Sequence, residues 1–524
     1  MIGAACALLA LTMLGLTGCS SPGAPAAAGS VTAHVSGGWL RGTESDGVRE
    51  FLGVPYAAPP VGALRFAPPR PAHSWSGDRA ATAPGPDCVQ FQPMGVPKGQ
   101  ATSEDCLYLN VYTPAGTRPG AKLPVLFWIH GGNFTEGSGA LYGGQRFAAL
   151  TNTVFVSINY RLGALGFLAL PQLDAASPLG SGNYGLLDQI AALKWVRSNI
   201  AAFGGDPRDI TIDGQSAGSG SVCDLLASPL AAGLFERGIL ESGPCDIIIP
   251  ASQSYAETTG AAFAAAVGCA QARSVVACLR GARTSAMVAA TGQDLINTPV
   301  WGTAVLPEPS AEAFASGHWN KVPLIVGSVR DEGKLFIDTE TGMTAGQYTN
   351  AIDTRYGAGA AAILAHYPVR GYRAPFYALA AVITDSTYTC PGYSFASQSA
   401  GQVPTWQEEF DDPTSPTFAG DQPRGIDMSN AHGAELAYLW NITVGQRPLT
   451  PAETRLGEQM DRYWAAFART GDPNVPGQVT WPRVTATAHP VIDFRPTGET
   501  VSSTVFPAEH QCNFWATSGS PFGE

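Results

Sequence analysis

The chain has 524 residues, of which 45% are apolar and 14% charged, and its net charge is −12. An acidic, charge-poor chain lacks the clustered Lys and Arg that nucleic acid requires, so a nucleic-acid partner is not expected. So high an apolar content is also incompatible with a disordered chain, and the length admits a large core.

The first stretch, "MIGAACALLALTMLGLTGCSS" (1–21), is apolar through Gly18 and then turns small and polar. It sits at the short limit for a spanning helix and is diluted by Gly, Ala and Thr, so residues 1–18 read as an export signal. Leu16-Thr17-Gly18-Cys19 resembles a bacterial lipobox, in which Cys19 is lipidated and becomes the new N-terminus. An ordinary signal that happens to contain a cysteine is the plainer alternative. No Lys or Arg precedes the run, a departure from the positive leader of either kind. Residues 19–30, with "SSPGAPAAAGS", read as a flexible tether, and 31–524 as a single domain. The expectation is an exported protein, secreted or held at the cell surface, touching membrane only through an N-terminal lipid.

Beyond the leader stand Cys88, Cys106, Cys223, Cys245, Cys269, Cys278, Cys390 and Cys512. An even number in an exported chain points to disulfides. No pair has C-x-x-C spacing, so no zinc site is expected. Cys269 with Cys278 is the simplest pair, closing a short loop; spacing does not settle the rest.

"LPVLFWIHGG" (123–132) and "TVFVSINYRL" (153–162) read as buried strands. "GLLDQIAALKWVRSNIAAFGGDP" (185–207) has helical spacing and stops at Gly204-Gly205, with Pro207 beyond. "DITIDGQ" (209–215) is a strand and "AGSGSVCDLLAS" (217–228) a helix. "RGILESG" (237–243) and "VPLIVGSV" (322–329) are further strands, and 453–473 a late helix. Strands separated by helices imply βαβ units, an α/β class and a large, mostly parallel sheet flanked by helices. The Ala-rich stretches 250–320 and 340–430 read as inserted helical segments that cap the sheet.

Gly214-Gln215-Ser216-Ala217-Gly218 falls where the strand stops and the helix begins. G-x-S-x-G in that context is a nucleophile elbow: glycines two residues either side permit a tight turn that lifts the serine hydroxyl clear of the sheet. A chance match is the bland alternative. A serine nucleophile needs a base, and the base an orienting acid, in the chain order Ser, Asp or Glu, His. Among the later histidines, His432 in "SNAHGAELAYLW" (429–440) has the small neighbours that let an imidazole approach; His366, in "LAHYPV" (364–369), reads as a packing residue. Asp331 and Glu332 both lie just past a strand, and the pattern does not choose between them. Ala217 N–H and the loop "HGGNF" (130–134), through Gly131 and Gly132, are the candidate oxyanion donors.

The chain resembles the type-B carboxylesterase/lipase family of α/β-hydrolases. "FLGVPYAAPPVGALRF" (51–66), "SEDCLYLNVYTP" (103–114), "VLFWIHGGNF" (125–134), "NYRLGALGFL" (159–168), "GQSAGS" (214–219), "VGSVRDEG" (326–333), "AHGAEL" (431–436) and "CNFW" (512–515) look like family blocks in family order. The resemblance implies an α/β-hydrolase fold with Glu332 as the acid and His432 as the base. It implies supporting roles for Ser242 and Glu435, and bridges Cys88–Cys106, Cys269–Cys278 and Cys390–Cys512, which leaves Cys223 with Cys245. One residue departs from the pattern: most relatives carry Glu immediately before the nucleophile, where this chain has Gln215. The missing charge argues against the choline esters favoured by the cholinesterases of the family. The implied activity is hydrolysis of a small-molecule carboxylic ester through an acyl-enzyme, with no metal or cofactor. A lipase acting on longer chains, a catalytically inactive adhesion or scaffold relative, and an amide, carbamate or thioester substrate are the alternatives.

Overall fold

A computed structural model of the chain describes residues 29–90, 101–247, 250–291, 298–417, 425–440, 442 and 447–518. The expected export signal, Cys19 and nearly all of the expected tether lie outside the described residues. The first strand, β1, already begins at Gly29 (Gly29–Val35).

Twelve more strands join β1 in one sheet: β2 (Gly38–Ser45), β3 (Val48–Pro55), β4 (Asp78–Ala80), β5 (Tyr108–Pro114), β6 (Leu123–Ile129), β7 (Val154–Ile158), β8 (Gly205–Gln215), β9 (Arg237–Glu241), β10 (Leu324–Val329), β11 (Thr405–Phe410), β12 (Val491–Phe494) and β13 (Thr500–Ser502). They run in the order β1-β2-β3-β5-β7-β6-β8-β9-β10-β11-β12-β13, with β4 on β2. From β7 to β12 every neighbouring pair is parallel. The outer neighbours pair antiparallel, apart from β4 on β2.

The central strands are buried on both faces because helices cover both, and most of their side chains are apolar. Val125, Phe127 and Ile129 of β6 pack with α1 (Tyr184–Asn199) and α2 (Ala217–Ala227) in one core. Leu126 and Trp128, between them in sequence, face a second core under α3 (Pro451–Thr470). Pro451 opens α3, Thr450 and Glu453 close a reciprocal capping box, and Gly471 ends it at φ 75°. A third core gathers the segments around 337–383 with the C-terminal helix Cys512–Ser518.

Residues 340–430 are not all inserted helix. β11 lies within them and enters the sheet between β10 and β12. Its sequence, "TWQEEF", hides a fully buried strand behind three polar residues. Nor is His366 a packing residue: it is exposed at a helix end and stacks on Phe514 at 3.9 Å.

One of those polar residues, Glu409, is matched from the C-terminus. His510 sits buried with Nε2 2.6 Å from Glu409 Oε1 and Nδ1 2.6 Å from Asp385 Oδ1. Burial works to lower its pKa, but the two carboxylates outweigh it and raise the value to about 10. A histidine raised above its unfolded value, about 6.5, contributes stability that is complete below that pH and is lost as pH climbs through about 10. His510→Gln is therefore expected to lose about 3–5 kcal/mol at pH 6 and progressively less towards pH 10. Melting temperatures of both proteins across that range check it; equal losses at both ends would contradict it.

The structure joins the four expected cysteine pairs, Cys88–Cys106, Cys223–Cys245, Cys269–Cys278 and Cys390–Cys512. No helix among the described residues is long and apolar enough to cross a membrane.

Candidate active site

The turn between β8 and α2 places Ser216 at φ 57° and ψ −126°, a region that side-chain-bearing residues seldom adopt. Its N–H donates to Glu241 O at 2.9 Å, and its hydroxyl does not cap the helix that follows. The flanking glycines are demanded by contact with backbone. A Cβ on Gly218 would run into Ile129 O, and one on Gly214 would lie 2.5 Å from Gly218 C. Backbone of a central strand does not yield, so Gly218→Ala is expected to cost about 1–3 kcal/mol. A lowered melting temperature with reduced turnover checks this; unchanged values would mean the turn has slack.

The loop after β6 lies against the serine. A Cβ on Gly131 would be 2.7 Å from Gln215 O and 3.0 Å from Ser216 Cβ, so only glycine lets the two backbones approach. Gly132 has φ 104°, and Asn133 and Phe134 also take positive φ, so the loop holds strain. Tyr160 Oη donates to His130 O at 2.8 Å and its ring stacks on His130 at 4.5 Å. Burial lowers the His130 pKa to about 4, which leaves it neutral. Ala217 is the first residue of α2, where helix N–H groups have no partner within the helix.

His432 is buried and meets this turn at Gln215. Its Nδ1 lies 2.5 Å from Glu332 Oε2, and Glu332 Oε1 accepts from Val329 N at 3.0 Å. Glu332 is fully buried. With Nδ1–H donating to Glu332, Nε2 is the acceptor nitrogen. The Gln215 amide donates to it, Nε2 to Nε2, at 3.2 Å. Asp331 turns away and pairs with Lys334 at 2.9 Å, so geometry separates the two acids that the pattern could not.

Ser242 follows β9 directly, at φ 51°. Its Oγ is buried without a hydrogen-bond partner, and the buried Glu435 carboxyl meets no side-chain donor, so neither side chain bonds the Ser216, His432 and Glu332 group. Two residues not singled out from sequence flank the imidazole. Phe336 and Tyr388 stack on each other at 5.3 Å, with centroids 5.0 and 5.1 Å from the His432 ring. Phe336 is 46% exposed, which makes it an apolar wall facing solvent beside the site. Tyr388 comes from a π-helical turn, Thr384–Thr389, whose position no hydrophobic period announces. Among the described residues, no group of three or more His, Cys, Asp or Glu side chains is arranged to hold a metal ion.

A strained serine on a strand–turn–helix elbow, with a Glu–His pair beside it at the carboxyl ends of parallel strands, defines a serine hydrolase of the α/β type. Comparison with known proteins identifies the family: residues 29–515 match the carboxylesterase family, and the chain belongs to it. The para-nitrobenzyl esterase of Bacillus subtilis (strain 168) is 34% identical over 467 residues, spanning 85% of this chain and 91% of that protein. A human cocaine esterase is 35% identical over 475 residues, 83% of this chain and 82% of the relative. Among solved structures, a PNB esterase superposes with a TM-score of 0.77 at 32% identity, covering 92% of this chain and 99% of that one. The chain is a carboxylic ester hydrolase, of type B.

Proposed function

We propose that Ser216, His432 and Glu332 carry out the hydrolysis of carboxylic esters through an acyl-enzyme. The 2.5 Å contact between His432 Nδ1 and Glu332 Oε2 supports this reading most directly, because it fixes the tautomer whose Nε2 can accept a proton. In the resting arrangement the Gln215 amide occupies that nitrogen. It gives way to the Ser216 hydroxyl when substrate enters. Ser216 Oγ then bonds to the ester carbonyl carbon as its proton passes to His432 Nε2. The N–H groups of Gly131, Gly132 and Ala217 hold the oxyanion. The carbon–alcohol bond breaks, and the leaving oxygen takes the proton from His432. Water, deprotonated by the same nitrogen, attacks the acyl carbon and releases the acid and the serine.

The substrate is a small-molecule ester, and neither nucleic acid nor a bound cofactor enters the scheme. Gln215 is neutral, so the site lacks a carboxylate there to draw a cationic alcohol. The apolar Phe336–Tyr388 wall favours uncharged esters. The chain is exported and anchored through a lipid on Cys19, with residues 31–524 as one catalytic domain; the apolar leader and four disulfides support this. Turnover of p-nitrophenyl acetate, butyrate, octanoate and palmitate tests the reading. A short-chain optimum is expected. An optimum at palmitate makes the protein a lipase, and no turnover of any of them by folded enzyme overturns ester hydrolysis by this site.

A further inference from the structure

The face of the sheet that α3 covers carries carboxyl groups where a core is expected. Register places Gln215, Glu241, Gly327 and Glu408 in one row across β8, β9, β10 and β11. Residues paired across a ladder share a face. Asp213, two residues before Gln215, is on that face beside its register partner Trp128. Gly327 leaves the gap, since a Cβ there would run into Glu408 Oε1. Glu435, three residues after His432, adds a fourth carboxyl, close enough to act electrostatically on Glu241 and Glu408.

Asp213, Glu241, Glu408 and Glu435 are each at most 3% exposed. One oxygen each of Glu241 and Glu408 has no hydrogen-bond partner, and Asp213 and Glu435 meet no donor beyond the backbone N–H groups of Gly214 and of Glu435 itself. The indole N–H of Trp128, beside Asp213, is also buried and unpartnered. Trp464 from α3 donates to Glu241 Oε1 at 2.8 Å. The charged groups that act most strongly on the four are each other and Glu332, Glu409 and Asp493; no Lys or Arg is among them. Ionised carboxylates without cations and with so few donors are prohibitively costly in such surroundings, and four together would also repel. Neutral acids are not.

We propose that this row is a proton-holding site. At neutral pH Asp213, Glu241, Glu408 and Glu435 are protonated acids, bridged to one another and to the Trp128 N–H by buried water. The row then adds no negative charge beside His432. Burial pushes all four carboxyls up, and the neighbouring acids push Glu241, Glu408 and Glu435 further. An acid raised on folding makes the folded state bind more protons than the unfolded one, so the row costs stability as pH climbs above about 4.

Infrared spectra of the whole protein in D₂O at neutral pD test this without reference to activity. The wild-type minus Asp213→Asn/Glu408→Gln difference should show loss of protonated-carboxyl C=O intensity and no loss of carboxylate intensity. The double variant should hydrolyse p-nitrophenyl butyrate within about twofold of wild type, and its melting temperature relative to wild type should rise from pH 5 to pH 9. Loss of carboxylate intensity instead, or an unchanged difference in melting temperature between pH 5 and 9, overturns the proposal. Should the double variant fail to fold, Glu408→Gln alone gives the same infrared readout, and a wild-type C=O band that is absent at neutral pD refutes it outright.

Discussion

Ser216→Ala is expected to lower kcat for p-nitrophenyl butyrate by roughly 10⁴–10⁶-fold while leaving the melting temperature within a degree or two of wild type. The size of the loss follows from the division of labour. Attack, proton transfer and acyl-enzyme formation all pass through Oγ, and removing it disables the histidine as well. What survives is oxyanion stabilisation and binding, which act without a nucleophile. The fold should barely respond, because the Ser216 hydroxyl caps no helix and the turn is held by its backbone bond to Glu241 O. Alanine does not relieve the positive φ, so the elbow stays strained in the variant. A loss of less than tenfold would place the nucleophile elsewhere.

Glu332→Gln is the second large effect, expected at about 10⁴-fold in kcat. The amide fills nearly the same volume, and its oxygen can still accept from Val329 N, as Oε1 does now. Its NH₂ would then face His432 Nδ1, where the carboxylate accepts at 2.5 Å. Two donors cannot share that contact, so the ring must move its proton to Nε2, the nitrogen that has to receive the serine proton. Asp331→Asn is the internal control. Its partner is Lys334, and its side chain is 39% exposed, so a change within about twofold is expected. Equal losses in the two variants would mean that the acid has been misassigned.

The legible parts of this protein are those in which local chemistry and tertiary demand coincide. The elbow is one: a β run, two glycines forced by backbone approach and a small-residue helix occupy consecutive positions. α3 is another, with its capping box, proline and terminal glycine. β11 is the opposite case. A strand buried on both faces is expected to be apolar, yet Gln407, Glu408 and Glu409 fill its middle: His489 meets Gln407, and His510 and Arg330 meet Glu409, from distant parts of the chain. No local pattern encodes those partners. The same limit applied to the acid of the proposed triad. Asp331 and Glu332 differ by one position, and only the packing of the helix that follows sends one to His432 and the other to Lys334. The Phe336–Tyr388 pair was hidden for a related reason, since it joins two segments about fifty residues apart at a π-helical turn.

The central claim is that Ser216 is the acylated residue. Reaction of the purified protein with diethyl p-nitrophenyl phosphate tests it most directly, because the phosphoryl group is transferred to the nucleophile and stays there. The account predicts one p-nitrophenol released per protein molecule, parallel loss of esterase activity, and the diethylphosphoryl mass on Ser216 in the peptide spanning 209–222. Label on any other residue, or full esterase activity in protein that carries the label, would contradict it.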